Sequence, residues 1–412
     1  MSNIVKEFNL IYTDVVKNNN KHWSGFCLDD GTGYSEWGRV GGPVSKTNYP
    51  THRVVEKKYQ EKLKKGYEPL KTIKSGKETT VSQVSDIKSV AKAQIKISNN
   101  PLLSDLVDRL VSFNIHNITS NTTIKYDVNG GVFSTPLGLV VQEGIDDARK
   151  LLVNIHKFIK KNDYETDEIK DSINKYLKLI PQNVGRKINI KSLFPSVDSV
   201  QKQNDILDSL EVSLKSISST PDKKKVIEEK IFDTELDLID PKDPEYIRLS
   251  AYYNNTNRAV HGYTNINIQN IYKVKIQSNI DKFKELNPLV EVFHGTSGAN
   301  CLSILKSGLR AIPPSTAAIA GAMFGPGVYG ATDSSKSLQY TAGRFGGKFS
   351  GLCYMFICDF SMGNYYEIKS YGGRKPAGYD SIWAKVKNTG LRFDELIVPD
   401  NHVRIKYLLE LK

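Results

Sequence analysis

The sequence predicts an α+β multidomain protein, built as a small β-rich domain, an all-α helical bundle and a mainly-β domain, in that order. The first stretch breaks into short extended runs at Gly and Asp turns. The middle carries apolar stripes at helical spacing. The last third is crowded with glycines around short apolar runs. At 412 residues the chain is also longer than one hydrophobic core ordinarily serves, which fits several domains.

Residues 1–80 form the first domain. Asp30-Gly31-Thr32-Gly33 and Gly41-Gly42-Pro43 are turn signals flanking an extended segment with Trp37, Gly38, Arg39 and Val40. From Thr51, Val55, Tyr59 and Leu63 fall on one helical face with lysines opposite. Residues 74–96 read as a Ser/Thr/Lys-rich linker.

Residues 97–218 form the helical bundle. Asn100-Pro101 is an N-cap followed by a first-turn proline, and Leu103, Leu106, Val107 and Leu110 continue one face. Thr135-Pro136 is expected to open a longer helix striped by Val141, Ile145, Ala148, Leu152, Ile155 and Ile159. Ile169, Ile173, Tyr176 and Ile180 repeat the pattern as far as Pro181, and Val200, Leu207, Leu210, Leu214 and Ile217 repeat it again. After residues 218–221 the texture changes. Residues 222–412 form the third domain, where Ile266, Ile268, Tyr272, Val274 and Ile276 alternate as half-buried strands do and 352–358 is an apolar run.

The formal charge of +12 favours a polyanionic partner, and residues 1–80 hold 14 Lys/Arg against 9 Asp/Glu. Cys27, Cys301, Cys353 and Cys358 are scattered without a CxxC pair, so they read as reduced thiols and no metal site is expected. No apolar run approaches the roughly 20 residues a bilayer needs, and the N-terminus lacks a secretory pattern. A soluble protein inside the cell is expected.

Three segments of the last domain group residues fit for chemistry. The first is Phe293-His294-Gly295-Thr296, leading through Asn300 and Ser303 to Gly308-Leu309-Arg310. The second is Met323-Phe324-Gly325-Pro326-Gly327-Val328-Tyr329, followed by Lys336-Ser337 and Tyr340. The third is Phe393-Asp394-Glu395-Leu396-Ile397-Val398. Gly325, Gly327 and Gly330 also satisfy GxGxxG. That fingerprint needs a preceding strand, a following helix and an acidic residue about 20 positions on, and residues 334–358 hold no Asp or Glu. A Rossmann site is set aside, and no Walker A motif is present.

Taken together, the three segments resemble the histidine–tyrosine–glutamate signature of the poly(ADP-ribose) polymerases. His294-Gly295-Thr296, Gly308-Leu309-Arg310, Phe324-Gly325, Tyr329, Lys336-Ser337, Tyr340 and Glu395 fall in the family's order. Upstream, Trp37-Gly38-Arg39-Val40-Gly41 is similar to the WGR domain. Pro136-Leu137-Gly138, Leu179-Ile180-Pro181 and the stretch from Ser199 to Asp208 resemble the family's helical regulatory domain. Three positions depart from the pattern: Gly330 replaces an aromatic, Ala322 stands where a lid aromatic often lies, and Pro326 replaces a basic residue.

The resemblance implies a DNA-break-stimulated enzyme that takes NAD as substrate, releases nicotinamide and transfers ADP-ribose to proteins, itself included, extending a chain. Glu395, His294 and Tyr329 are the implied catalytic residues. His294, Gly295, Thr296, Ser303, Arg310, Tyr329, Lys336, Ser337 and Tyr340 are the implied NAD-binding set, and Met323 and Phe393 the acceptor seat. Trp37 is implied to pack on a DNA end, and Arg39 to link that face to the helices, which shield the NAD pocket until DNA loosens them. DNA strand breaks and acceptor proteins are the implied partners, with no membrane contact and a monomer in the absence of DNA. The implied address is the nucleus in a eukaryote and the cytoplasm otherwise.

Elementary chemistry is consistent with these roles. Cleaving the nicotinamide–ribose bond develops positive charge on the ribose, so an anion placed there lowers the barrier. Glycine backbone lets a flat carboxamide approach, and two tyrosines can sandwich its ring. A mono-ADP-ribosyltransferase and a DNA-break adaptor with an inert transferase fold remain as alternatives. Product length separates the first, and NAD binding the second.

Overall fold

The computed structural model describes residues 2–69, 87–127, 132–135, 138–140, 142–215, 230–258, 266–311, 323–341 and 351–412. Pro136, Leu137, Val141, Ile217, Ala322 and residues 74–86, 218–221 and 223–225, all singled out from the sequence, lie outside the described residues. The chain divides into two compact units, Met1–Asp86 with His116–Val226, and Ile87–Ile115 with Ile227–Lys412.

In the first unit, strands order as Val44–Tyr49, Gly33–Arg39, Asn19–Leu28, Ile4–Asp14 and Glu68–Pro69. The Asp30-Gly31 turn forms as its sequence dictates. Gly31 takes φ +86, which a side chain would resist, and Asp30 Oδ1 accepts the Thr32 amide at 2.9 Å. The helix His52–Lys64 closes the sheet's apolar face by seating Val55 among Leu10, Trp23 and Cys27, with Tyr59 and Leu63 beside it.

The helices of this unit are amphipathic as their stripes require. Ile145, Ala148, Leu152, Ile155 and Ile159 are buried on Gln142–Lys160, and Ile169, Ile173 and Tyr176 on Asp167–Leu179. Val200, Leu207 and Leu210 are buried on Val197–Lys215. Two expectations need correction. Thr135 does not open a helix. It ends the strand Val132–Thr135, which lies between Lys125–Asp127 and Gly138–Leu139 in a three-stranded sheet, and the helix begins only at Gln142. A β-branched, aromatic run (Val132, Phe133, Thr135) favours the pleat over a helical turn. The expected linker also holds a helix, Ile87–Gln94, because Ile87, Val90 and Ala91 give it one buried face.

The second unit is built on two sheets. The larger has six strands in the order Leu289–Thr296, Cys353–Ser361, Val403–Leu411, Ile268–Ile276, Thr234–Leu238 and Lys96–Ile97. Cys353–Ser361 is buried at every position, so its side chains on both faces meet protein, as its unbroken apolar run requires. The smaller sheet orders Val328–Gly330, Glu395–Val398, Ser381–Ala384 and Tyr365–Glu367. The helix Pro101–Asn121 starts in this unit, where the Asn100 side chain accepts the Leu102 amide at 3.0 Å, the expected cap. Farther along it, Arg109 donates to the buried Glu410 carboxylate, which also accepts from Tyr354, Tyr272 and Asn270.

Candidate active site

The two sheets of the second unit are joined at one β-bridge. Phe293 and Ala331 exchange backbone hydrogen bonds of 2.8 and 3.1 Å. That bridge brings His294 next to Tyr329. The His294 Nδ1 lies 2.8 Å from the Tyr329 carbonyl. A carbonyl can only accept, so Nδ1 carries the proton and neutral Nε2 keeps its lone pair for a hydroxyl donor. Burial pushes the His294 pKa below its ordinary value, outweighing the Tyr329 carbonyl that favours the charged form.

Gly295 follows on the same strand. A Cβ there would lie 1.8 Å from the Ser337 carbonyl oxygen, so no other residue permits this approach of strand and helix. The short helix Ser334–Leu338 is pinned against the strand by that contact and by Ser337 Oγ, which donates to the Phe293 carbonyl at 2.9 Å. The Ser337 proton is thereby committed, leaving its oxygen an acceptor for an amide N–H. Gly330 has a different reason. A Cβ there would lie 2.8 Å from both Phe360 Cζ and Val292 Cγ2, so the ring of Phe360 already fills the room.

The same short helix presents Lys336, whose Nζ lies 2.5 Å from Glu395 Oε1. Glu395 opens the strand Glu395–Val398, which pairs Tyr329 with Ile397. Its neighbour Asp394 is fastened elsewhere, accepting from Trp383 Nε1 at 2.9 Å and from the Val386 amide at 2.8 Å. Glu395 instead turns to Lys336. Tyr340 places its ring 5.6 Å from Lys336 Nζ. The Tyr329 hydroxyl is spent on its own turn, donating to the Gly325 carbonyl at 2.7 Å and accepting the Phe324 amide at 3.0 Å.

His294, Gly295, Tyr329, Lys336, Ser337, Tyr340 and Glu395 are thus brought together by the Phe293–Ala331 bridge, the short helix and the Glu395 strand. Met323 is half-buried against the cluster of Phe324, Ile368 and Ile397 that also holds Tyr329. The other expected residues are placed differently. Thr296 is buried and accepts from Asn300 Nδ2 at 3.3 Å, and Ser303 turns its hydroxyl onto the Asn300 carbonyl of its own helix. Arg310 is exposed beyond the Gly308 helix cap. Phe393 is 5% exposed, so its side chain supports the strand from within. The Lys336–Glu395 pairing and the anchoring of Asp394 were missed from the sequence, where no spacing rule connects a short helix to a strand so much later in the chain.

In the first unit, Trp37 lies directly across from Trp23 and is half-buried against the Leu10, Trp23, Cys27 and Val55 cluster. Arg39 faces the helical segment. Its Nε donates to the Gly185 carbonyl at 3.0 Å, Nη1 to the Asn18 carbonyl at 3.1 Å and Nη2 to Asn18 Oδ1 at 3.2 Å. Asn18 in turn accepts the Ile188 amide at 2.8 Å. Among the described residues no group of three or more His, Cys, Asp or Glu side chains is placed to hold a metal ion. No helix described is long and apolar enough to cross a membrane.

Glycine backbone, two tyrosines, a histidine lone pair and a buried carboxylate are therefore gathered in one part of the second unit. Residues 243–406 match the model of the poly(ADP-ribose) polymerase catalytic domain, and residues 101–235 that of the family's regulatory domain. The chain belongs to the poly(ADP-ribose) polymerase family. It is 31% identical to a poly [ADP-ribose] polymerase of Sarcophaga peregrina over 53% of this chain and 22% of the relative. It is 24% identical to poly [ADP-ribose] polymerase 1 of Gallus gallus over 97% of this chain and 44% of the relative. Against the human protein mono-ADP-ribosyltransferase PARP3 the identity is 26%, over 94% of this chain and 79% of the relative. The chain therefore spans less than half the length of the two polymerases.

Proposed function

We propose that this chain transfers ADP-ribose from NAD to protein side chains, its own included, extends the product into a chain, and does so in response to DNA breaks. The observation that carries the transferase reading is the convergence of Glu395, held by Lys336, with the Gly295 backbone and the Tyr329 and Tyr340 rings. In the proposed reaction nicotinamide lies between the two rings, with its carboxamide on the Gly295 backbone and the Ser337 oxygen. The glycosidic C–N bond breaks and its electron pair leaves with nicotinamide. The ribose carbon becomes oxocarbenium-like opposite the Glu395 carboxylate, which stabilises it by charge. The acceptor oxygen then bonds that carbon, and its proton passes to the Glu395 carboxylate. His294 Nε2 accepts from a ribose hydroxyl of the adenosine half.

The DNA arm of the reading rests on the net charge of +12 and on Arg39, which ties the N-terminal sheet to the segment around Gly185. Trp37 is proposed to meet the DNA end and Arg39 to pass the event to the helices. A nuclear address is proposed with it. The test is labelled NAD incubated with the full chain, with and without nicked or blunt DNA, at several salt concentrations. Label on the protein that depends on DNA and weakens with salt supports the whole reading. DNA-independent labelling removes the DNA arm, and no labelling removes the enzyme.

Single transfer is the second reading. It is favoured by the human mono-ADP-ribosyltransferase, 79% of which the chain covers, and by Phe393, one residue of the expected acceptor seat, being only 5% exposed. A discrete band instead of a ladder on a denaturing gel would decide for it.

A further inference from the structure

The turn that carries Met323, Phe324 and Gly325 is fastened from outside by a residue that the family motifs do not include. Arg374, in the loop between Tyr365–Glu367 and Ser381–Ala384, donates from Nη1 to the Met323 carbonyl. The same nitrogen reaches the carbonyls of Gly372, at 3.0 Å, and Gly373, at 3.2 Å, so one group ties its own loop to the Met323 turn. The arginine stem lies beside Gly325, where a Cβ would be 3.7 Å from Arg374 Cδ. Gly325 is the residue whose carbonyl takes the Tyr329 proton, and the adjacent Phe324 amide donates back to the Tyr329 oxygen.

These contacts form a continuous chain from an exposed cation to the ring of the site: Arg374, the Met323–Gly325 turn, the Tyr329 hydroxyl, the Tyr329 ring. Burial of Phe324 anchors the turn on its inner side, and Arg374 anchors it on the outer side. A tyrosine hydroxyl held by two backbone groups orients its ring only as firmly as that backbone is held. We propose that Arg374 is a positioning residue, which fixes the plane of Tyr329 for stacking on nicotinamide and the place of Met323 beside it. This inference rests on the nicotinamide-stacking role proposed above for Tyr329. Arg374 touches no reacting atom, and its removal weakens ring binding without altering the charge chemistry at Glu395.

The test compares the full wild-type chain with Arg374→Ala, Arg374→Lys and, as a control, Lys375→Ala, whose ammonium donates to the Tyr379 carbonyl. Nicotinamide binding is measured by calorimetry and NAD turnover in parallel. Arg374→Ala is expected to weaken nicotinamide about tenfold and to raise KM for NAD with kcat little changed, the pattern of lost ground-state binding. Arg374→Lys can still donate to the Met323 carbonyl and should recover most of the loss, while Lys375→Ala should match wild type. Wild-type affinity in Arg374→Ala overturns the proposal and leaves the enzyme reading intact. A wild-type chain that binds neither nicotinamide nor NAD overturns that reading, and the inference with it. A general loss of fold would show as a lowered melting temperature and would not be rescued selectively by lysine.

Discussion

Lys336 and Glu395 form an ion pair of 2.5 Å with their side chains only 18% and 9% exposed. Burial works against the Lys336 charge, yet Glu395 and the Tyr340 phenol more than offset it and the lysine pKa ends above its ordinary value. The carboxylate that the proposed reaction uses is therefore held with its own counter-ion. A carboxylate alone in so little water would carry an uncompensated charge.

Lys336→Met should leave Glu395 buried without a partner. The expected cost is about 3–5 kcal/mol of stability, read by denaturant unfolding, with transfer activity lost as well. Lys336→Arg, which keeps a cation in reach, should restore most of the stability. Equal stability in the methionine variant and wild type would show that the pair contributes nothing to the fold.

Glu395→Gln preserves shape and removes the charge. Loss of a placed charge at the reacting carbon should lower the rate of chain growth by about 10²–10³. Chain length on a denaturing gel and turnover of labelled NAD read this directly, and undiminished ladders would remove Glu395 from the proposed role.

Gly295→Ala puts a methyl 1.8 Å from the Ser337 carbonyl, a distance no packed structure tolerates. Either the short helix carrying Lys336 and Ser337 moves or the variant misfolds. Loss of nicotinamide binding and a lowered melting temperature are expected together. Normal binding in this variant would place the carboxamide elsewhere.

His294 should titrate below 6.5, since burial lowers its pKa. A histidine held more acidic in the folded than in the unfolded state contributes stability above the unfolded value. That contribution is lost as pH falls from about 6.5 toward the folded pKa. The His294 ring proton followed by NMR should show a midpoint under 6.5, and NAD binding should weaken across that transition. A midpoint at or above 6.5 would contradict both the burial argument and the neutral Nε2 acceptor.

Arg39→Ala removes one hydrogen bond to the Gly185 carbonyl and two to Asn18, whose Oδ1 in turn accepts the Ile188 amide. Part of each is replaced by water, so a loss of about 1–3 kcal/mol is expected. On the proposed reading, stimulation by DNA should fall further than basal turnover. A variant stimulated as strongly as wild type would confine Arg39 to holding the fold.

Much of the fold is legible in the sequence. Local periodicity placed the helices Gln142–Lys160 and Asp167–Leu179, and the structure brings His294 beside Tyr329 and pairs the Tyr329 strand with that of Glu395. A proline after Thr135 signals a helix start as readily as a strand end, and the pairing of Thr135 with Gly138, beside that of Val132 to Ser134 with Lys125–Asp127, decided the matter. The helix Ile87–Gln94 was hidden at the end of a Ser/Thr/Lys-rich stretch, where Ile87, Val90 and Ala91 supply its buried face.

The amino-acid sequence alone determined which residues are chemically able to act, since residue type, spacing and turn preference are local properties. Tertiary structure decided which of them meet. The Phe293–Ala331 bridge, the Lys336–Glu395 pair and the Arg374 clasp each join segments distant along the chain. Such contacts depend on how two sheets and their loops close on each other. No period or motif encodes that closure, because its energy comes from burial and pairing that exist only once the chain is folded.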